Sequence, residues 1–383
     1  MEKIRKRLEM SAWPGKTVIG LTGNIATGKS VVRKMLEHLG AYGIDADALS
    51  HRAIAVGAPG YQKVLDTFGK WVLSPDGQID RSKLAKIVFS DPTALKQLED
   101  IIHPLVRQAE DLLIRRTNKS VVVVEAIKLI ESGFDRLCDQ LWVTYAPEDV
   151  QLRRLMTKRG LNRDAALQRI LAQPPQEEKI KRANVVIRND RSFEDTWQQV
   201  LSAWKALFPE KEVEGEKDVR AGMSVERAKP SQAKEISELM RIVSKGQKAL
   251  SPEQVMEAFG EKAYLLLRRD GLAEGMLGWS VENLVARVDD FYLSDQIPVE
   301  EAVTLLIHEV ENASKELQCE AALLFLTDPW AAFREIWQKL GYRETTVQNI
   351  GVRAWQEAAL ESNQAGGVLW LKRLREDLVL KPV

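Results

Sequence analysis

Short apolar runs alternate with longer amphipathic segments through the first half of the chain. Five runs have the length and β-branched content of buried strands, and they span residues 17–21, 41–44, 121–125, 141–145 and 185–187. The segments between them repeat apolar residues at helical spacing. This alternation predicts an α/β fold in which helices cover both faces of a mostly parallel sheet.

A new pattern begins near residue 224. The stretch before it, 209–223, is dense in charge and poor in large apolar residues, which is typical of a solvated linker. Beyond it the pattern predicts a second α/β or α+β unit, with strands at 224–228, 263–268, 275–281, 285–293 and 321–326 and helices at 231–243, 299–317 and 330–340. We therefore predict an N-terminal extension at 1–15, a first domain at 16–208, a linker at 209–223 and a second domain at 224–383.

The composition of the chain disfavours several kinds of partner and site. Lys and Arg together number 55, as do Asp and Glu, so the zero net charge does not indicate a nucleic-acid partner. No apolar run approaches the roughly 20 residues that span a bilayer, and residues 1–15 lack the apolar core of a signal peptide. The cysteines, Cys138 and Cys319, are far apart, which disfavours a disulfide framework or a zinc site. We expect a cytoplasmic protein without a membrane partner; nothing in the pattern indicates its oligomeric state.

The segment from Gly23 to Ser30 carries the strongest chemical signal. It has the spacing Gly-x-x-x-x-Gly-Lys-Ser between a predicted strand and a predicted helix, which is typical of a phosphate-binding loop. Glycine lets backbone N–H groups curl around phosphate, the lysine places a charge on it, and the serine hydroxyl ligates Mg²⁺. The predicted ATP-binding residues here are Gly23, Asn24, Ile25, Ala26, Thr27, Gly28, Lys29, Ser30 and Val31.

Two aspartates follow the second predicted strand. Asp45 and Asp47 lie where open parallel sheets place their ligands, one strand away from the loop. A carboxylate at this position can accept the proton of a substrate hydroxyl or hold Mg²⁺. The structural alternative is that the pair caps a helix. We favour a functional role, with Asp47 and Ser30 as candidate metal ligands.

Two further segments supply candidates. A basic cluster at 153–163 contains Lys158 and Arg159 and predicts either a flap that closes over ATP or an ordinary solvated helix. His103 precedes Pro104, and because proline suits the first turn of a helix, we expect a helix to begin there with His103 as its cap and a possible substrate contact.

These motifs together resemble the dephospho-CoA kinase family. The matching elements follow the family order over about 190 residues. They are the loop at 20–30, the segments 44–47, 57–60, 80–84, 102–106 and 131–133, the flap from Arg154 to Gln173, and residues 185–189. Where the family usually has Pro-Leu-Leu-Phe-Glu, this chain has residues 127–131, and the family's flap arginine aligns with Lys158.

The resemblance implies an enzyme that uses ATP to phosphorylate the ribose 3′-hydroxyl of dephospho-CoA, the last step of coenzyme A synthesis. It implies a nucleotide core, substrate-binding helices and a lid. Asp47 would then be the general base and Lys29 would bind the phosphates. Asp45, His103 and Glu131 would contact the substrate, and Lys158 or Arg159 would reach the phosphates.

The second half resembles the GNAT acyltransferase fold in its order of strands and helices. That family binds a pyrophosphate on a glycine-containing loop before its long helix, whereas this chain has Asp295, Glu300 and Glu301 there and no glycine from 279 to 340. Without glycine the backbone cannot easily approach a pyrophosphate, and the carboxylates repel it. We therefore favour a degenerate domain with a structural or regulatory role over one that binds acyl-CoA or transfers an acyl group.

A nucleotide switch is a further alternative for the first half. Guanine specificity normally needs Asn-Lys-x-Asp, and Asn118-Lys119 is followed here by Ser120-Val121. The sequence thus favours a small-molecule kinase over a GTPase.

Overall fold

The computed structural model describes residues 11–209, 218–220, 222–247, 249–361 and 367–376. Two sheets organise these residues, one in each half of the chain. Among the described residues, no helix is long and apolar enough to cross a membrane.

The first sheet has five strands, all paired in parallel, in the order β2-β3-β1-β4-β5. The strands are β1 (Thr17–Thr22), β2 (Tyr42–Asp45), β3 (Val121–Glu125), β4 (Gln140–Tyr145) and β5 (Val185–Arg188). Because side chains alternate along a strand, Val122 and Val124 of β3 enter one core and Val121 and Val123 enter the other. Both faces of the sheet are therefore buried, as the apolar runs predict.

Helices cover both of these faces. They are α1 (Lys29–His38), α2 (Ala46–Ala53), α3 (Tyr61–Phe68), α4 (Arg81–Ser90), α5 (Pro92–Arg116), α6 (Glu148–Arg159), α7 (Arg163–Leu171), α8 (Gln176–Ile180) and α9 (Phe193–Leu207). Residues of α2 and α5 share one core, and residues of α1 and α9 share the core on the opposite face. A separate cluster joins α3 and α4 to the start of α5.

The second sheet has eight strands, in the order β12-β13-β11-β10-β9-β8-β7-β6. They are β6 (Asp218–Arg220), β7 (Met223–Arg227), β8 (Ala263–Arg269), β9 (Leu272–Glu282), β10 (Val285–Leu293), β11 (Ala321–Leu326), β12 (Arg343–Thr345) and β13 (Val368–Arg373). All neighbours pair antiparallel except β10 and β11. The one parallel pair requires a crossover connection, which is usually a helix.

The helices of the second half are α10 (Ala233–Val243), α11 (Pro252–Ala258), α12 (Val299–Glu316), α13 (Arg334–Lys339) and α14 (Arg353–Glu361). The crossover between β10 and β11 is α12. Its buried residues, among them Val303, Leu306 and Val310, join the main core of this half. One prediction is altered here: the helix expected at 330–340 is a short 3₁₀ turn followed by α13.

The structure corrects two other predictions. Residues 218–220, placed in the linker, form β6 and pair with β7, which itself begins at Met223. Residues 210–217, the rest of the charged stretch before β6, lie outside the described residues. His103 does not cap a helix, since Pro104 lies inside α5. The helix continues through the proline because a long apolar face, including Val106 and Leu113, packs against the sheet and outweighs the lost hydrogen bond.

Candidate functional site

The phosphate-binding loop joins β1 to α1, as predicted. Gly28 has φ +93°, and a Cβ atom there would overlap the side-chain nitrogen of Asn189. Thr27 Oγ1 donates to the carbonyl of Asn24 at 2.8 Å, which closes the turn. The N-terminal end of α1 lies directly after the loop, so its free N–H groups favour an anion here.

Lys29 is buried at the start of α1. Its Nζ lies 3.3 Å from the carbonyl of Asn24, so the ammonium folds back over the loop. Burial lowers its pKa, and the carboxylates of Glu125 and Asp47 oppose that effect. The ammonium therefore lies within electrostatic reach of both acidic groups.

Two strand ends bring carboxylates beside the loop. Asp45 ends β2 and Glu125 ends β3, and parallel pairing places them opposite each other. Ser30 Oγ donates to Glu125 Oε1 at 2.8 Å. The second Glu125 oxygen accepts from Arg33 Nε at 2.7 Å, and Asp45 lies 3.8 Å from Arg33 Nη2. The serine of the loop is thus tied to an acidic edge.

Asp45 and Asp47 have different environments. Asp45 caps α2, because its Oδ1 accepts from the backbone N–H of Ala48 at 2.9 Å. The helix-cap alternative therefore describes Asp45. Asp47 lies in the first turn of α2, where burial, together with the charge of Asp45, raises its pKa to about 6. A carboxyl with a pKa near this value is suited to accept a proton near neutral pH.

Sequence reasoning missed Glu125 and Lys179 as site residues. Glu125 ends an otherwise all-valine strand, and that position was the available signal. Lys179 lies in α8, far along the chain, yet its Nζ reaches the carbonyl of Ile127 at 2.6 Å and the carboxylate of Glu131 at 3.5 Å. Burial lowers the pKa of Lys179, and its charge acts on both Lys29 and Asp47.

The basic cluster forms α6 and the turn after it, and this segment contacts the loop. Arg154 Nη1 donates to the carbonyl of Ala26 at 3.1 Å. Gln173 Oε1 accepts from the N–H of Ile25 at 2.7 Å, so the segment after α7 also touches the loop. The two candidate lid cations have different partners. Lys158 forms an ion pair with Glu261 of the second half at 3.5 Å, whereas the charge of Arg159 helps to lower the pKa of Lys29.

A cavity of about 120 Å³ opens beside Asp47. His103, Arg107 and Glu110 of α5 line one side, and Lys128 lines another. The structure therefore brings His103 and Asp47 to one cavity, although Glu131 is not among its lining residues. Burial raises the pKa of Glu110 to about 8, so this carboxyl is mostly protonated at neutral pH. The cavity therefore offers a ligand the Asp47 carboxylate, which can accept a proton. It also offers the neutral Glu110 carboxyl and the cations of Arg107 and Lys128.

Oxygen donors dominate the site. Ser30, Asp45, Asp47 and Glu125 offer hydroxyl and carboxylate oxygens, which suit Mg²⁺ better than softer metals. Within the part of the chain that the structure describes, no group of three or more His, Cys, Asp or Glu residues is arranged to hold a metal ion. A metal here would therefore depend on phosphate oxygens and water for most of its ligands.

A parallel sheet in the order 2-3-1-4-5, a phosphate-binding loop after the central strand, and carboxylates at the ends of the next two strands, β3 and β2, define a P-loop kinase. The prediction that Asp47 lies one strand from the loop is wrong, because β3 lies between β1 and β2. The dephospho-CoA kinase family model matches residues 17–195. The dephospho-CoA kinase of Carboxydothermus hydrogenoformans is 46% identical over 194 residues, 49% of this chain and 94% of that protein. That of Geobacter sulfurreducens is 43% identical over 195 residues, 50% of this chain and 99% of that protein. The chain belongs to the dephospho-CoA kinase family.

Solved structures match each half separately. The dephospho-CoA kinase from Campylobacter jejuni has a TM-score of 0.38 at 31% identity and covers 50% of this chain and 97% of its own. A GNAT-family acetyltransferase from Staphylococcus aureus Mu50 has a TM-score of 0.33 at 12% identity, over 40% of this chain and 99% of its own. Both scores are low, so the architecture of each half rests on its own strand order.

Proposed function

We propose that this protein transfers the γ-phosphoryl group of ATP to the ribose 3′-hydroxyl of dephospho-CoA and thereby forms coenzyme A. The observation that carries the proposal is the pairing of a P-loop with Asp47, a buried carboxyl of raised pKa that lines the adjacent cavity. Family membership supplies the substrate. The setting we propose is the cytoplasm.

In the proposed mechanism Asp47 accepts the proton of the 3′-hydroxyl as its oxygen attacks the γ-phosphorus, and ADP leaves. Lys29 and the loop N–H groups neutralise charge on the phosphates. Arg154 and Gln173 hold the lid segment on the loop, which limits the access of water to the transferred group.

We propose Mg²⁺ as the accompanying cation, because the donors around Ser30 are oxygens. Ser30 would be a direct ligand, and Asp47 or Glu125 would act directly or through water. When bound, the cation neutralises charge on the transferred phosphoryl group. The hydrogen bond from Ser30 to Glu125 holds the Ser30 hydroxyl at the end of the loop.

Arg159, rather than Lys158, is the lid cation that we assign to the phosphates. Lys158 is engaged by Glu261, whereas Arg159 acts on Lys29 at the loop. An arginine also donates two parallel hydrogen bonds to phosphate, which a lysine cannot do. The matched pair Arg159→Met and Lys158→Met tests this assignment: we expect the KM for ATP to rise about tenfold in the first variant only, the worth of one hydrogen bond to a charged group.

Steady-state ADP release, with and without dephospho-CoA, tests the proposed function. The wild-type protein should release ADP rapidly only when dephospho-CoA is present. Asp47→Asn should lose this stimulated rate while still binding ATP, and Lys29→Met should weaken ATP binding. Equal ADP release with and without dephospho-CoA would contradict the proposal.

Among the described residues of the second half, no observation favours acyl transfer. Trp330 Nε1 donates to the carbonyl of Phe291 at 3.1 Å, and their rings lie 4.8 Å apart, so aromatic side chains occupy the region beyond the paired part of β10 and β11. Glu300 and Glu301 occupy the first turn of α12. We therefore propose a supporting role for this half.

A further inference from the structure

A continuous chain of buried polar contacts runs from the phosphate-binding loop to the second half. Beyond the Ser30–Glu125–Arg33 contacts described above, Arg33 Nη1 donates to Glu37 Oε1 at 2.7 Å. Glu37 Oε2 accepts from Lys34 Nζ at 3.0 Å. Lys34 Nζ also donates to the carbonyl of Val281, at the end of β9, at 2.8 Å.

Three members of this chain are removed from water, whereas Ser30 is exposed and Lys34 is partly buried. Arg33 is 6% exposed, Glu37 is 8% exposed and Glu125 is 4% exposed. Buried charges of this kind need every partner, because a charge left alone in the interior is costly. Glu37 therefore depends on both Arg33 and Lys34, and Lys34 depends on a carbonyl that only the second half provides.

The turn between β9 and β10 is held against the first half at several points. Arg52 Nη1 donates to the carbonyl of Asn283 at 2.8 Å. Leu284, the next residue, packs on the core formed by α2, α5 and the sheet. Both turn residues have positive φ, 51° and 62°, and a leucine rarely adopts this conformation. Leu284 therefore keeps a left-handed backbone conformation, and its side chain packs against the core of the first half.

We propose that the second half is a positioning element of the kinase site, which acts through Val281, Lys34, Glu37 and Arg33 to fix Glu125 and Ser30 beside the phosphates. Arg33 is the branch point, because its guanidinium faces Glu37, Glu125 and Asp45 at once. If Lys34 loses its hydrogen bond to the Val281 carbonyl, Glu37 loses a fixed partner on the side away from Arg33. The Arg33 guanidinium then moves toward Glu37, and its hydrogen bond to Glu125 weakens. The inference rests on the proposed function, since it concerns the same phosphate site.

Two lysine substitutions across the same interface test the proposal. Lys34→Met removes the link to Val281 together with the hydrogen bond from Lys34 to Glu37. Lys119→Met removes a different contact between the halves, the 2.6 Å ion pair with Glu316, by the same chemical change. We expect Lys34→Met to weaken Mg-ATP binding, measured by calorimetry on the full-length protein, about tenfold, the loss of one net hydrogen bond. Lys119→Met should leave this affinity within about twofold, because a half-buried ion pair at the rim of the interface contributes little and does not touch the phosphate-binding loop.

A double-mutant cycle tests whether the effect travels through Arg33. In the Arg33→Met background, Lys34→Met should cause no further loss of Mg-ATP affinity. In the otherwise wild-type protein, Lys34→Arg, which retains a donor for Val281, should keep the affinity near the wild-type value. Circular dichroism identifies a variant that has not folded, and Lys34→Gln, which removes the charge and shortens the side chain, then replaces Lys34→Met in the cycle.

The outcomes separate this inference from the proposed function. Equal affinities for Lys34→Met and Lys119→Met, or additive losses in the cycle, would overturn the inference while the wild-type protein still binds Mg-ATP and responds to dephospho-CoA. Failure of the wild-type protein itself to bind Mg-ATP would overturn both.

Discussion

Glu110 makes the stability of the first half depend on pH. This residue of α5 is 4% exposed and lines the cavity beside Asp47. Burial raises its pKa from 4.5 to about 8, and the nearby cation of Arg107 only partly opposes the effect. His103 and Lys128 line the same cavity, and the thiol of Cys138 lies close enough for the Glu110 charge to act on it. The perturbation we consider is Glu110→Gln, which keeps the shape and removes the titration.

The sign follows from the raised pKa. The unfolded chain loses the Glu110 proton near pH 4.5, whereas the folded protein keeps it until about pH 8. The contribution of this carboxyl to stability is therefore complete below pH 4.5 and is lost as the pH rises to about 8. At about 1.4 kcal/mol for each pKa unit, the full loss is on the order of 5 kcal/mol. Glutamine does not titrate, so the variant should keep its stability through this window.

Urea unfolding, followed by circular dichroism, measures this effect at about pH 5, 6.5 and 8. These values span the range between the pKa of Glu110 in the unfolded chain and its pKa in the folded protein. We expect the free energy of unfolding of Glu110→Gln, minus that of the wild-type protein, to grow with pH. Because both proteins are compared at each pH, other titrating groups largely cancel. The same difference at pH 5 and pH 8 would refute the argument that Glu110 is buried without an adequate partner.

Three other predictions concern the loop and the second half. Gly28→Ala should abolish ATP binding in a calorimetric titration, because the new Cβ overlaps Asn189 and the positive φ is strained; affinity close to that of the wild type would be contrary evidence. Trp337→Ala should lower the free energy of unfolding by about 3–5 kcal/mol, since this ring is fully buried; a loss below about 1 kcal/mol in urea unfolding would count against it. Arg52→Met should lower the free energy of unfolding by about 1–3 kcal/mol in the same assay, because it removes the charged hydrogen bond that Arg52 donates to the buried Glu320 carboxylate across the two halves, and an unchanged midpoint would argue against that contact.

The three central strands of the first sheet, β1, β3 and β4, were predictable because they are buried on both faces. Val121–Glu125 has four consecutive valines, and such a run has few alternatives to a central parallel strand. The loop was predictable because its spacing is set by phosphate geometry. Asp47 was predictable as a site residue because the carboxyl ends of parallel strands lie at the same edge of the sheet, although β2 is separated from β1 by β3 rather than adjacent to it.

Residues brought in by tertiary packing were not predictable. Lys179 follows Lys29 by 150 positions, and only the path of the chain after α7 brings it to Ile127 and Glu131. Trp13, assigned to an extension, is buried against α5, where its Nε1 donates to Asp111 at 2.8 Å. Neither contact leaves a periodic signal in the sequence.

The second half was predicted in outline and missed at its edges. The central strands β8 and β11 are nearly continuous apolar runs, whereas β12 has only three residues, Arg343–Thr345, and these have no apolar member. Strand β13 was missed as well. The contact of Lys34 with Val281 also has no local signature, because it joins residues that are 247 positions apart.

The most direct test of the central claim is to identify the product by phosphorus NMR after incubating the full-length protein with ATP, Mg²⁺ and dephospho-CoA. We predict a new phosphomonoester resonance coupled to the ribose 3′ proton, formed together with ADP, and its absence with Asp47→Asn. Inorganic phosphate as the only new product, or a phosphoester at another hydroxyl, would contradict the assignment of Asp47 as the base that selects the 3′-hydroxyl.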